Sequence, residues 1–305
     1  MTGTPAITTR GLTKDYGMQR GLFDLDMEVG AGEVFGFLGP NGAGKTTTIR
    51  LLMGMIFPTR GSAQVFGLDC QREAVAVKTK VGYLPGELPQ FGGLRGGEIV
   101  AYLGGLRGRV DTTRVRAISE RLELDLGRRY REYSRGNKQK LGLLVAFMHR
   151  PSLLILDEPT ASLDPLNQQT FYDLLSESRQ DGATIFLSSH VLSEVEHVCD
   201  HVGIIRRGRL VSIAGLDELH HLRIHHVEIE FAGVPPVEAI KEAEGVTEVR
   251  VDGSRVRCNV RGGFEPLLTA IAGRGVLNLV SEEPSLEELF LSYYRDEPPL
   301  ESAAT

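Results

Sequence analysis

The segment Gly39–Thr46 reads GPNGAGKT and fits the pattern G-x-x-x-x-G-K-T in full. It follows a strand-like apolar run, Glu33–Leu38, and precedes Lys45–Ile56, in which apolar residues recur at helical spacing. Glycines let such a loop turn tightly so that its N–H groups face phosphate oxygens, and the following helix adds the positive end of its dipole. The strand–loop–helix context is the one that this pattern requires. The sequence therefore predicts an α/β fold built around a phosphate loop.

Two side chains of this loop carry the predicted chemistry. Lys45 can neutralise the β and γ phosphates of a nucleotide, and the Thr46 hydroxyl can ligate magnesium. A chance glycine-rich turn is the alternative, and Lys45 and Thr46 in place between a strand and a helix argue against it. The residues predicted to contact the nucleotide here are Gly39, Pro40, Asn41, Gly42, Ala43, Gly44, Lys45, Thr46 and Thr47.

A second motif, Leu153–Pro159, reads LLILDEP. Its apolar residues predict a buried strand, and its carboxylates emerge at the end of that strand, where α/β sheets place their ligands. Asp157 suits the shell of a magnesium ion, through water. Glu158 suits a general base that polarises the attacking water. An apolar strand followed by Asp-Glu is common by itself, but downstream of a phosphate loop it predicts magnesium-dependent hydrolysis.

Strand-like and helix-like segments alternate through residues 1–215. Helices are predicted at Thr112–Leu122, Asn137–Met148 and Pro165–Leu175. Buried strands are predicted at Leu153–Leu156 and Thr184–Ser188, and a hairpin at Gly203–Ile205 and Leu210–Ile213. This alternation predicts an α/β domain with a mainly parallel central sheet.

The pattern changes after residue 215. Residues 216–226 are polar, and their four histidines are interpreted as part of a solvated linker, since no Cys or second ligand cluster completes a metal site. Residues 227–296 then show the order β-α-β-β-α-β, with a hairpin-turn signal at Asp252-Gly253. This order predicts a small α+β domain of ferredoxin-like type. A helix at Leu286–Tyr294 is expected to close it, and residues 297–305 to form a flexible tail.

Composition argues against several other kinds of protein. The 305 residues carry a net charge of −6, so nucleic acid is not expected as the main partner. Cys70, Cys199 and Cys258 are far apart and are interpreted as free thiols. Neither a signal peptide nor a membrane span is predicted, so work at a membrane would need another subunit.

With these motifs in this order, about residues 6–215 resemble the nucleotide-binding domains of ABC transporters. Such domains carry a segment of the LSGGQ type before the magnesium-site strand, and the matching segment here is Tyr133–Asn137, reading YSRGN. Ser134 and Gly136 keep the two positions that matter most, at the start of a predicted helix whose N-terminus can meet a phosphate. The other three positions depart from the pattern. That variation resembles a subgroup of prokaryotic exporters that includes antibiotic-resistance pumps.

The resemblance implies roles for three further residues. Asp164 occupies the position of a loop that touches the opposite subunit. His190 ends a predicted strand and matches the switch histidine, which contacts the γ-phosphate and orients the water. Tyr16 matches the aromatic residue that stacks on adenine. A lone histidine at a strand end is usually structural, and it is the ordered set of motifs that favours a functional role.

One residue expected from the resemblance is replaced. The family usually has a glutamine after a strand like Val81-Gly82-Tyr83, and that position falls at Gly86, beside Glu87. Gln90 is a less suitable substitute by spacing. We hypothesise that Glu87 takes over the contact with magnesium and water and the link to the membrane partner. An ordinary loop carboxylate is the alternative.

The resemblance implies an ATPase that powers transport, expected to be export, and that uses ATP and Mg²⁺. Its expected architecture is a nucleotide-binding core with a helical insertion near Leu94–Met148. One chain has one copy of each motif, so we expect a homodimer in which ATP on Gly39–Thr46 of one copy is covered by Ser134 and Gly136 of the other. Transmembrane permease subunits are the expected partners, which would place the chain at the cytoplasmic face of the cell membrane.

Two other functions are alternatives to transport. A soluble ABC ATPase of translation usually fuses two nucleotide-binding domains, and one of DNA repair usually interrupts the domain with a long coiled coil. No second domain of this kind and no heptad tract in residues 46–133 is found here. A nucleotide-binding scaffold without hydrolysis is disfavoured by the intact set of Lys45, Asp157, Glu158 and His190.

Overall fold

The computed structural model of the chain describes residues 4–108, 110–216 and 224–282. It has two compact units, Met1–Ala214 and Gly215–Thr305. None of the described helices is long and apolar enough to cross a membrane. The phosphate loop and the LLILDEP motif both lie in the first unit.

The elements of the first unit follow the predicted alternation from its middle onward. Its described strands are β1 (Ile7–Asp15), β2 (Gly21–Val29), β3 (Val34–Leu38), β4 (Arg60–Val65), β5 (Leu68–Asp69), β6 (Val81–Leu84), β7 (Leu153–Asp157), β8 (Thr184–Ser189), β9 (His201–Arg206) and β10 (Arg209–Gly215). Its described helices are α1 (Lys45–Leu52), α2 (Ala74–Lys80), α3 (Gly96–Gly105), α4 (Thr112–Arg121), α5 (Arg135–Phe147), α6 (Pro165–Gln180) and α7 (Leu192–Val198). Between β6 and β9, at least one helix separates each pair of consecutive strands.

A six-stranded sheet in the order β10-β9-β3-β8-β7-β6 forms the centre of the first unit. β3 pairs in parallel with β8 and β9, and β7 pairs in parallel with β6 and β8. Every residue of β3, β7 and β8 is buried, which accounts for their continuous apolar sequences. The register sets Leu38 beside Ser189 and Asp157 beside Ser188. The carboxyl ends of these three strands therefore meet at one edge of the sheet.

A second sheet, in the order β2-β1-β4-β5, is antiparallel and was not anticipated from the motifs. Its signal in the sequence is the period of two in β2, where Leu25, Met27 and Val29 are buried and Asp26 and Glu28 are exposed. The buried residues belong to the same core as the apolar side chains of α1 and β3. The antiparallel sheet therefore shares one hydrophobic core with α1, the helix that follows the phosphate loop.

Two helices end at other residues than predicted, and each ends just before a glycine with a left-handed backbone conformation. α1 stops at Leu52 rather than at the predicted Ile56, because Gly54 adopts a left-handed conformation with φ of 57°. α6 continues beyond its predicted end to Gln180 and stops before Gly182, which has φ of 88°.

The helical insertion expected near Leu94–Met148 is α3, α4 and α5, which all lie between β6 and β7. α3 and α4 each pack against α5. The Arg114 guanidinium of α4 donates through Nε to the Phe147 carbonyl oxygen at 3.0 Å, and the Tyr133 hydroxyl donates to the Asp125 carbonyl oxygen at 2.7 Å. These contacts anchor both ends of α5, the helix that begins with the YSRGN segment.

The described part of the second unit is a four-stranded antiparallel sheet with two helices. Its described elements are β11 (Ile224–Phe231), α8 (Val237–Glu242), β12 (Val246–Asp252), β13 (Arg255–Arg261), α9 (Glu265–Ile271) and β14 (Val276–Glu282). The strand order is β12-β13-β11-β14. The hydrophobic core of its described part consists of Val227, Ile229, Phe231, Ile240, Val256, Cys258, Val260, Leu267 and Ile271. They join one face of the sheet to α8 and α9.

The linker predicted at residues 216–226 is wrong at its C-terminal end. β11 begins at Ile224, and Ile224 pairs with Arg261 of β13. Residues 224–226 are therefore part of the sheet. The two histidines in this segment favoured the prediction of a linker. A strand with only one buried face, however, needs apolar residues only at alternate positions.

Several other predictions for the second unit fall outside the described residues. These are the histidines His220 and His221, the helix at Leu286–Tyr294 and the tail at residues 297–305. Among the residues that are described, no group of three or more His, Cys, Asp and Glu side chains could hold a metal ion.

Candidate functional site

The phosphate loop begins where β3 leaves the sheet, and close packing requires glycine at its first position. A Cβ on Gly39 would collide with the backbone oxygen of Ile205 in β9. Gly44, the last loop residue, has φ of 113°, in the left-handed region that favours glycine, and it is the N-cap of α1. Packing and conformation therefore hold the loop backbone at the N-terminus of α1.

Lys45 is the first residue of α1 and is only 5% exposed. Its Nζ donates to the carbonyl oxygens of Gly39 at 2.5 Å and Pro40 at 3.3 Å, and it lies 3.2 Å from Oε1 of Glu158. A buried ammonium is costly without such partners. The loop carbonyls and the carboxylate thus keep a positive charge inside the phosphate loop.

Asp157, at the end of β7, accepts hydrogen bonds from two hydroxyls. Thr46 Oγ1 donates to its Oδ2 at 2.8 Å, and Ser188 Oγ donates to its Oδ1 at 2.6 Å. Asp157 is 1% exposed, and Ser188 is fully buried. The structure therefore brings the predicted pair Thr46 and Asp157 together, and it adds Ser188, which the sequence analysis missed. The available signal was a hydroxyl that follows the apolar residues Ile185–Leu187 at the end of a predicted strand.

Glu158 follows β7 with φ of 53°, which is uncommon for a residue with a Cβ. Its N–H donates to both the carbonyl and the hydroxyl oxygen of Ser188, at 3.2 Å each. Its Oε1 lies 3.2 Å from Lys45 Nζ, and its Oε2 lies 2.6 Å from His190 Nδ1. The Glu158 side chain is 23% exposed and that of His190 is 47% exposed. Lys45, Glu158 and His190 were predicted from separate motifs. In the structure Glu158 contacts both of the others, and the His190 end of this series is exposed to solvent.

Glu194 on α7 is a second residue that the sequence analysis missed. Its Oε1 accepts from Thr160 Oγ1 at 2.5 Å, and its Oε2 accepts from Ser189 Oγ at 2.6 Å. Thr160 lies two residues after Glu158, and Ser189 immediately precedes His190. One carboxylate therefore ties together the two segments that carry Glu158 and His190. Its place on the helix that starts just after His190 was the available signal.

The YSRGN segment lies at the start of α5. Ser134 is the N-cap: its Oγ accepts from the Asn137 N–H at 3.2 Å, and α5 therefore begins at Arg135, two residues before its predicted start. Ser134 and Arg135 are exposed. In the described part of the chain, neither makes a hydrogen bond or ion pair with Lys45 or Glu158. Within one copy of the chain, Ser134 and Arg135 at this helix N-terminus therefore face solvent.

Asp164 is the N-cap of α6. Its Oδ1 accepts from the Asn167 N–H at 3.0 Å, and its Oδ2 accepts from Asn167 Nδ2 at 2.7 Å. The hydrogen bonds from the Asn167 backbone and side chain hold the pKa of Asp164 below its ordinary value. Asp164 is thus an ionised helix cap, and its contact with an opposite subunit stays a prediction.

Tyr16 follows β1 and is 53% exposed. Its N–H donates to the Arg20 carbonyl oxygen at 2.9 Å, which closes the turn between β1 and β2. The Lys14 ammonium lies 5.5 Å from the centre of its ring. The exposed ring is available for stacking on an aromatic base.

Glu87 lies in the loop after β6, and its side chain is exposed. Among the described residues it has no hydrogen-bonding or ion-pair partner. Gly86, the residue before it, borders Asp157, since a Cβ on Gly86 would lie 3.1 Å from Asp157 Oδ2. The loop backbone is therefore beside the buried carboxylate, while the role of Glu87 stays a prediction.

The residues around Lys45 fit a nucleoside triphosphate with magnesium. A hydroxyl and a carboxylate are the hard oxygen ligands that Mg²⁺ prefers, and Thr46 Oγ1 and Asp157 Oδ2 are 2.8 Å apart. Lys45 places a buried positive charge beside a glycine-rich loop at a helix N-terminus, the arrangement that binds phosphate groups.

Comparison with known proteins gives the family. Residues 22–161 match the family model described as ABC transporter. The chain is 36% identical over 256 residues to the bacitracin transport ATP-binding protein BcrA of Enterococcus faecalis, covering 82% of this chain and 83% of that protein. It is 35% identical over 301 residues to BcrA of Bacillus licheniformis, covering 93% and 96%. A solved structure of an ATP-binding subunit of an ABC transporter is 29% identical with a TM-score of 0.66, covering 70% of this chain and 92% of that one.

The site geometry and these similarities agree. The phosphate loop, the buried Lys45 and the carboxylates that follow β7 are arranged as an ATPase requires. Both relatives are named for transport, so a soluble ATPase of translation or DNA repair is not favoured. The chain belongs to the ABC transporter family, as an ATP-binding subunit that hydrolyses ATP.

Proposed function

We propose that the chain hydrolyses ATP at Lys45, Asp157, Glu158 and His190, and that this hydrolysis powers a membrane exporter. The observation that carries the proposal is the carboxylate of Glu158, which lies between Lys45 Nζ at 3.2 Å and His190 Nδ1 at 2.6 Å. A carboxylate at the carboxyl end of a central strand, beside a phosphate-binding ammonium, is well placed to act on a water molecule near the phosphate.

Each residue has its own task in the proposed reaction. Lys45 and the loop N–H groups bind the phosphates and neutralise their charge. When a phosphate oxygen replaces Glu158 beside Lys45, Oε1 of Glu158 is free to accept the proton of the attacking water. His190 holds the other carboxylate oxygen and faces the developing phosphoryl charge. Magnesium held by Thr46 and Asp157 would supply further charge neutralisation, and Tyr16 would stack on the adenine.

A second copy of the chain completes the proposed site. Ser134 and Gly136 lie at the N-terminus of α5, and Ser134 is exposed. Because helix N-termini bind phosphate groups, this turn can cover ATP held by the phosphate loop of another copy. The arrangement is a head-to-tail homodimer with Asp164 close to the junction. ATP that binds the closed dimer better than the open one would then drive attached membrane subunits between two states.

The proposed direction of transport, which is export, and the proposed partners are inferred from the relatives. Two of them are named as bacitracin transport ATP-binding proteins. Transmembrane permease subunits are the proposed partners, and nucleic acid is not proposed as a partner. These subunits would hold the chain at the cytoplasmic face of the cell membrane. For the second unit we infer a ferredoxin-like fold, supported by its element order and by the strand order β12-β13-β11-β14.

The transport proposal predicts a stable complex with a membrane protein. When the tagged chain is purified from detergent-solubilised membranes of its native cells, we expect a multi-span protein to copurify in a fixed ratio. A tagged second unit alone, produced in the same cells, is the comparison. Recovery of the full chain with no membrane protein bound would contradict the role in transport, even if the chain hydrolysed ATP.

The head-to-tail site predicts complementation between two inactive variants. Lys45→Ala removes the phosphate-binding charge, and Ser134→Arg blocks the turn that covers the partner's ATP. In a mixed dimer, one of the two sites has both defects and the other has neither. We therefore expect a 1:1 mixture, in which about half of the dimers are mixed, to recover about a quarter of the wild-type ATPase rate, while each variant by itself stays inactive. A mixture as inactive as its components would contradict the composite site.

The hypothesis for Glu87 predicts a loss of activity without a loss of folding. A Glu87→Ala variant should turn over ATP about tenfold more slowly, as expected for a group that supports a metal ligand or the attacking water. Gln90→Ala is the matched control in the same loop, because Gln90 is also exposed. Equal rates for wild type and Glu87→Ala, with transport also unchanged, would make Glu87 an ordinary loop carboxylate.

A further inference from the structure

Gln139 is a buried polar residue that the proposed reaction leaves without a task. It lies in the second turn of α5 and is 7% exposed. Its Nε2 donates to the carbonyl oxygen of Glu158 at 3.2 Å and to that of Pro159 at 2.9 Å. One side-chain amide therefore joins the helix of the YSRGN segment to two consecutive peptide groups that follow β7.

The first of these carbonyl groups belongs to Glu158, the proposed general base, and the second to the next residue. Glu158 has φ of 53°, a conformation that a non-glycine residue keeps only where its surroundings hold it. The backbone conformation sets the direction in which the side chain leaves the main chain, and the Glu158 carboxylate must reach Lys45 and His190. Gln139 is therefore one of the groups that fix the position of this carboxylate.

A second contact joins α5 to the same loop. A Cβ on Gly136 would lie 2.9 Å from the carbonyl oxygen of Ser162, so the first turn of α5 packs directly on the backbone after Glu158. Gly136 and Gln139 are three residues apart and lie on the same face of the helix. The start of α5 thus rests on residues 158–162 at two places.

We propose that Gln139 is a positioning residue that couples the start of α5 to Glu158 of the same chain. This rests on the proposed homodimer, in which Ser134 and Gly136 cover ATP bound by the other copy. A shift of α5 on engaging that ATP moves the Glu158 backbone through the Gln139 amide. Each copy thereby adjusts its own general base to the nucleotide held by its partner, and the two sites hydrolyse ATP cooperatively.

The test is a Gln139→Met variant of the full chain, because methionine has a similar length and no hydrogen-bond donor. We expect kcat to fall at least about fivefold, KM for ATP to stay within about twofold, and the Hill coefficient for ATP to fall to about 1. Gln169→Met is the matched control, since Gln169 is an exposed residue of α6 whose amide donates to Asp173 at 3.2 Å.

The outcomes separate this proposal from the dimer on which it rests. If the wild-type chain is cooperative and Gln139→Met is equally fast and equally cooperative, the coupling role of Gln139 is wrong and the dimer stands. If Gln139→Met has a lower melting temperature without nucleotide and a raised KM, the residue is merely structural and the proposal is overturned. If the wild-type chain stays monomeric in gel filtration with ATP and its rate is non-cooperative and strictly proportional to protein concentration, the homodimer itself fails.

Discussion

A Glu158→Gln variant is expected to hydrolyse ATP at least about 100-fold more slowly than the wild-type chain while it still binds ATP. The amide keeps the size of the side chain and can still meet Lys45 and His190, but it cannot accept the proton of the attacking water. Because the change also removes a negative charge close to the phosphates, ATP affinity should be unchanged or higher. Phosphate release measures the rate, and calorimetric titration with ATP measures the affinity.

The same variant should accumulate as an ATP-bound dimer, because hydrolysis is the proposed step that reopens the site. Gel filtration with and without ATP measures this accumulation. Glu177→Gln is the matched control, since Glu177 forms a surface ion pair with Arg121 at 2.8 Å, away from Glu158. A Glu158→Gln protein with a normal rate would disprove the assignment of the general base, and one that failed to bind ATP would show that Glu158 holds the loop together.

The second large effect is expected at Lys45, whose ammonium is buried in the phosphate loop. Truncating one partner of a buried charge pair costs about 2 kcal/mol or more, so Lys45→Ala should weaken ATP binding by at least about 30-fold. The variant also leaves the Glu158 carboxylate facing the phosphates without the charge that now lies 3.2 Å away. Calorimetric titration with ATP is the direct measurement.

Lys241→Ala is the matched control for this loss of affinity. Lys241 is an exposed residue of the second unit and pairs with Glu238 at 3.0 Å, so its removal should leave ATP binding unchanged. Circular dichroism of each variant without nucleotide establishes that the fold is retained. Tight ATP binding by a folded Lys45→Ala protein would refute the proposed phosphate contact.

Local patterns predicted the central strands and most of the site. β3, β7 and β8 are apolar throughout because both of their faces are buried, so their positions are visible in the sequence. Lys45, Thr46, Asp157, Glu158 and His190 follow or end these strands, and the structure brings them into contact. The contact follows from the rule that parallel strands present their carboxyl ends at one edge of the sheet.

Other features depend on pairing between distant segments and could not be predicted in the same way. Ser188 reaches Asp157 only because β7 and β8 pair in a register that sets these residues side by side. Glu194 and Gln139 act on the segment after Glu158 through contacts between elements that are separate in the chain. Residues 224–226 join a strand because their partners lie on β13.

The sequence by itself determined the phosphate loop, the strand that ends in two carboxylates and the order of the motifs, because each depends on residue types at fixed spacing within one segment. Only the tertiary structure decided how Glu158 is held, between Lys45 and His190 and with its backbone bound by Gln139. It also left Ser134 and Arg135 facing solvent. These contacts join segments that lie far apart in the chain, and only the packing of helices against the sheet brings them within reach of one another.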